Sequence, residues 1–129
     1  MLNHELRHDE GVLVLSPESP LEAADFTVLA SQVDTYLEQH KMLHGVLIRA
    51  KSFPGWRDFS ALIAHVRFLR DHIAKIEKVA VVSDGAFATV VPGLADHFIH
   101  ADVKHFEFEN EDAAWVWLRQ TDMRTRAVA

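Results

Sequence analysis

Val79-Ala80-Val81-Val82, closed by Ser83-Asp84-Gly85, is an unbroken apolar run rich in β-branched residues that ends in a turn. Apolar side chains on both sides of the chain suit a strand covered on both faces, as in a parallel sheet. Two runs upstream read the same way. Val12-Leu13-Val14-Leu15 lies between Gly11 and Ser16-Pro17, and Val46-Leu47-Ile48 follows Gly45. Downstream, Val103-Lys104-His105-Phe106-Glu107-Phe108 alternates, which predicts a half-covered strand nearer an edge. Residues 3–9 are polar and read as a short antiparallel strand leading into the first buried one.

Helical spacing fills the intervals. Between Leu21 and His40, Phe26, Leu29, Ala30, Val33, Tyr36 and Leu37 recur at three- and four-residue steps. Phe59, Leu62, Ile63, Val66, Leu69 and Ile73 do so in the next stretch. Phe87, Val91, Leu94 and Phe98 keep phase in a third, with Pro92-Gly93 expected to kink it. Asn110, followed by Glu111 and Asp112, reads as the N-cap of a last helix burying Ala114, Trp117 and Leu118. The predicted order is ββαβαβαβα. It describes one α/β domain with a mostly parallel five-stranded sheet, an antiparallel N-terminal strand and four helices. Residues 1–120 form that domain, and 121–129 read as a frayed tail.

With 129 residues, 49% hydrophobic and 25% charged, the chain has the composition of a packed domain. It has no cysteine, so disulfides, thiolate metal sites and thiol nucleophiles are excluded. The net charge of −6 speaks against nucleic acid as a partner. No apolar run is long enough to span a bilayer and no basic-then-apolar leader opens the sequence, which leads us to expect a cytoplasmic protein.

Few residues offer chemistry. The turns Ser16-Pro17-Glu18-Ser19, Lys51-Ser52-Phe53-Pro54-Gly55 and Ser83-Asp84-Gly85 match no phosphate loop or dinucleotide fingerprint, and there is no Gly-x-Ser-x-Gly elbow. His97 and His100, flanked by Asp96 and Asp102, have ligand spacing but equally suit a helix end; we expect neither metal nor cofactor. His65 and His72 share a helix face with no acidic residue evident beside them. Asp58, Ser83 and Asp84 sit in strand-end loops without a histidine that sequence can place nearby, so no catalytic residue is named.

Charge and aromaticity concentrate elsewhere. Arg49, Lys51, Arg57, Arg67 and Arg70 face only Asp58 within residues 49–70, whereas 18–40 carries five acidic residues and no Lys or Arg. With Phe59 taken as the core direction of its helix, Phe68 lies on the opposite, outward side together with Ala61, Ala64, His65 and His72. Phe53 and Trp56 precede this helix at a strand's carboxyl end, where open α/β sheets usually bind ligands. Beside Arg49, Lys51 and Arg57, these loop aromatics would form an apolar pocket with an anion-binding rim. The same loop aromatics also suit the bottom of a core.

Several of these segments together resemble the SpoIIAA-like family, small bacterial proteins grouped with STAS and CRAL-TRIO-type domains. They are Phe53-Pro-Gly-Trp56, the amphipathic helix from Asp58, Ile76-Glu-Lys-Val-Ala-Val-Val-Ser-Asp84, Val103-Lys-His-Phe106 and Ala113-Ala-Trp-Val-Trp-Leu118. Ser83 departs from the family, which more often has glycine before the aspartate. The resemblance implies a STAS-like fold and a non-catalytic module that binds partner proteins or small ligands; Phe68 opposite the core stripe, with Trp56 nearby, extends the expected partners to a second copy of the chain, as a homodimer. It also implies a phosphorylatable serine at a helix start, and Ser60 of Asp58-Phe59-Ser60-Ala61 falls at that position, although Phe59 and Ala61 replace the family's small residue and glycine. The CRAL-TRIO kinship implies the alternative, a carrier or sensor of a small lipophilic or amphipathic anionic ligand, held in a surface groove lined by Phe53, Trp56 and Phe68 rather than in an enclosed cavity.

Overall fold

The computed structural model describes residues 2–51, 54–84 and 102–120. Strands β1 (Leu2–Arg7), β2 (Val12–Pro17), β3 (Leu43–Arg49), β4 (Ile76–Ser83) and β5 (Asp102–Glu107) form one sheet in the order β1-β2-β3-β4-β5. β1 pairs antiparallel with β2, and the other three pairings are parallel. The β1–β2 turn passes through Gly11 at φ +65°, a backbone conformation that a side chain strains, and a Cβ there would also meet the Tyr36 hydroxyl at 2.7 Å.

Helix α1 (Ala23–Leu37) joins β2 to β3, and α2 (Phe59–His72) joins β3 to β4. Both pack on one face of the sheet, where Phe26, Leu29, Val33 and Phe68 meet Leu13, Val46, Val79 and Val81. Helix α3 (Glu111–Arg119) covers the other face, setting Ala114, Trp115 and Leu118 against Val12, Leu47, Ala80 and Val82. Adjacent strand residues thus feed opposite cores, which is why the runs read as continuously apolar.

Three of the four expected helices lie among the described residues; the one expected through Phe87 and Phe98, with His97 and His100, lies outside them, as does the 121–129 tail. In α3 the buried tryptophan is Trp115, while Trp117 is half-covered and leans its ring on Phe106 at 5.9 Å. Trp115 Nε1 donates to Glu111 Oε2 (3.2 Å), and the guanidinium groups of Arg7 and Arg119 lie 4.4 and 4.9 Å from its ring. Those contacts satisfy its polar edge and its faces together.

α3 seats closely because Gly45 leaves room: a Cβ there would stand 2.8 Å from Leu118 Cδ2. Its C-terminal carbonyls are met from the sheet. Lys78 Nζ donates to Trp117 O (2.9 Å) and Gln120 O (2.8 Å), and His44 Nε2–H donates to Leu118 O (2.6 Å). A buried cation at a helix C-terminus satisfies orphan acceptors and suits the dipole.

Candidate binding site

Helix α2 begins where the Asp58 side chain accepts from the Ala61 N–H at 2.9 Å, an N-cap. The orientation of α2 reverses the expectation from sequence. Phe68 is 8% exposed and Ala61 and His72 are buried, whereas Phe59 is 74%, Val66 54% and Ile63 37% exposed. The helix carries two apolar stripes about half a turn apart, and the one with small and ring side chains faces inward. Ala61 permits close approach, and both inward histidines find partners. His72 Nδ1–H donates to Phe68 O (2.8 Å) and Nε2 lies 2.8 Å from Asp34 Oδ1 on α1, the acidic neighbour not evident from sequence. His65 stacks on Phe26 with ring centres 4.8 Å apart at 17°.

Trp56 completes this corner. It forms a lone parallel bridge with Leu21: Leu21 N–H donates to Gly55 O and Arg57 N–H to Leu21 O, both at 2.8 Å. The clamp fixes the loop before α2 against the start of α1. From there the Trp56 indole N–H donates to His65 Nδ1 at 3.0 Å. Burial pushes the His65 imidazole below its ordinary value of 6.5.

Beneath α1 and α2 lies a cavity of about 160 Å³. Leu13, Leu29, Val46, Phe68 and Val79 are among its walls, and His65 is the sole lining residue with a polar side chain among the described residues. The floor is the sheet and the roof is the helix pair. Sequence periodicity carried no sign of it, because a void is a property of how the layers meet.

The remaining predicted residues do not converge on one rim. Arg49 at the end of β3 pairs with Glu111 on the α3 face (3.0 Å), while Arg57 pairs with Glu22 at the start of α1. Lys51 is exposed at the strand end, Phe53 lies outside the described residues, and Ser60 is exposed in the first turn of α2. Phe68, expected on the surface, instead lines the cavity. Of the side chains that sequence assigned to the core, Phe59, Ile63 and Val66 form the exposed stripe, whereas Leu69 and Ile73 line the cavity.

The SpoIIAA-like family model matches residues 12–119. The chain belongs to the SpoIIAA-like family. No curated protein and no solved structure matches it. SpoIIAA-like chains have the STAS-like α/β fold, here with its mostly parallel sheet and antiparallel first strand, and STAS-like domains are non-catalytic modules. One feature of this SpoIIAA-like chain superficially resembles catalytic machinery. His105 Nε2 lies 3.1 Å from Ser83 Oγ, a pairing the sequence did not reveal. Ser83 is fully buried and His105 Nε2 lies equally close, 3.1 Å, to its backbone carbonyl, so the pair ties β5 to β4 rather than presenting a nucleophile. Among the described residues no group of His, Asp and Glu could hold a metal ion, and no helix is long and apolar enough to cross a membrane.

Proposed function

We propose that this chain is a protein-interaction module whose partner docks on the outward stripe of α2. The carrying observation is that Phe59, Ile63 and Val66 lie exposed on one side of a helix whose other side is in the core. Residues spaced by three and four share a helix face, and an exposed apolar patch on a small domain marks an interaction surface. Arg67 and Arg70 are exposed on the same helix. The partner chemistry that fits is an apolar anchor rimmed by acidic side chains. Ser60 lies in the first turn of this helix, so its phosphorylation would add negative charge beside the docking stripe and weaken an acidic partner.

The test places a photo-crosslinking amino acid at position 63 in cells that make the protein. The expected result is an adduct with a second polypeptide, abolished by Phe59→Asp, reduced several-fold by Arg67→Glu and kept by Val28→Asp on α1. Adducts confined to this chain's own residues 85–101 would sink the proposal.

A second reading, a carrier or sensor of a small lipophilic ligand, draws support from the cavity. Its volume of about 160 Å³ is close to the roughly 150 Å³ of an engineered apolar cavity that binds benzene. Native mass spectrometry of freshly purified protein checks it: retained mass that leaves on denaturation supports a carrier. The anionic variant of this reading is weakened because Arg49 and Arg57 already face carboxylates.

A further inference from the structure

We infer that the cavity takes a small apolar molecule with one hydrogen-bond acceptor, a ketone, ester or ether, and that His65 Nε2–H is the group that meets it. The inference rests on the carrier reading above and specifies the ligand's chemistry. An indole N–H can only donate, so the 3.0 Å contact from Trp56 requires a bare lone pair on His65 Nδ1. A neutral imidazole with Nδ1 bare carries its proton on Nε2. Burial, which disfavours the charged ring, works in the same direction. Nε2 has no hydrogen-bond partner among the described residues, although His65 lines the cavity.

The donor is also held in place. The Leu21–Trp56 bridge fixes the indole, the indole fixes the tautomer, and Phe26 stacks on the ring. A preorganised donor in an apolar surround strengthens one hydrogen bond and selects for its acceptor. The other walls known for this cavity are apolar, so a second polar group on the ligand would be buried without a partner, and a neutral imidazole offers an anion no countercharge.

Two near-isosteric probes test the inference: cyclohexanone, with a carbonyl oxygen, and methylenecyclohexane, with a CH₂ in its place. Dissociation constants for the whole protein and for His65→Phe, which keeps a stacking ring without the N–H, are read by ligand-observed NMR. The expected result is that both probes bind the wild type and that His65→Phe weakens cyclohexanone about tenfold while methylenecyclohexane changes less than twofold. Equal loss of both probes would overturn the donor role and leave the cavity reading standing. Failure of both to bind the wild type would remove the cavity reading itself. Nitrogen-15 shifts of the wild-type ring give a check that needs no variant. A proton on Nε2 whose shift moves with cyclohexanone is expected, and a proton on Nδ1 overturns the inference.

Discussion

The two faces of the sheet are built from alternate residues of the same strands, yet they are finished differently. On the α3 face, Gly45 lets Leu118 down onto the sheet, Lys78 and His44 close the helix carbonyls, and two arginines flank Trp115. On the α1/α2 face the contacts are aromatic and looser, and a cavity of about 160 Å³ separates helices from strands. Both helix layers bury apolar surface, so hydrophobicity alone does not distinguish them. What differs is how closely the side chains interlock, and a face that leaves volume unfilled retains room for a ligand.

The sharpest way to break this comparison is to remove the same atoms from each face. Leu118→Ala should cost about 3–4 kcal/mol in urea denaturation, because Leu118 is fully buried against Gly45. Leu69→Ala, at a wall of the existing void, should cost about 1–2 kcal/mol. Equal losses would mean that the faces are packed alike. Next in size is Lys78→Met, which deletes both donations to α3 carbonyls and should cost about 2 kcal/mol, with hydrogen exchange rising first at the end of α3.

A finer comparison adds a methyl group or two instead. Ala80→Val enlarges a fully buried residue on the α3 face and should destabilise by about 1–2 kcal/mol. Val81→Ile, its neighbour in sequence, points into the cavity and should stay within about 0.5 kcal/mol of the wild type while weakening small apolar probes. Thermal melts of the two variants side by side settle this.

The smallest effect concerns pH. The folded chain holds the His65 imidazole below its ordinary value of 6.5, so just below pH 6.5 the unfolded chain binds more protons there. The corresponding stability is complete above that pH and is lost as pH falls from 6.5 towards the folded value. Its slope cannot exceed about 1.4 kcal/mol per pH unit. Subtracting the profile of His65→Phe from that of the wild type isolates it, and parallel profiles would show that His65 titrates alike in both states.

The strands were legible because their apolar runs supply both faces at once: Val12-Leu13 and Val79-Ala80-Val81-Val82 each divide between two cores. Helix α1 was legible because its one apolar stripe, Phe26, Leu29, Val33 and Tyr36, is the buried one. Helix α2 was misread for a definite reason. Its aliphatic stripe is the more regular of the two, while the inward stripe contains the half-buried His65 and the buried His72, which periodicity counts as polar. Those rings turn inward with Trp56 donating to His65 Nδ1 and Asp34 meeting His72 Nε2, and Asp34 lies on another helix. A hint was present in Ala61, whose small side chain on the Phe68 face suits close packing. The pairing of Arg49 and Arg57 with carboxylates from separate elements was likewise a matter of tertiary placement, which local charge counting does not contain.

The strand order has a consequence for the birth of the molecule. Because each strand joins beside its predecessor, the sheet can grow outward as the chain leaves the ribosome, and α1 can roof the first parallel pair before β4 exists. The opposite face follows another schedule. Among the described residues, Val12 and Leu47 are laid down early and are met by α3, the last of these elements to emerge. Until α3 has been made, Gly45, Lys78 and His44 wait in place as the seat on which it locks.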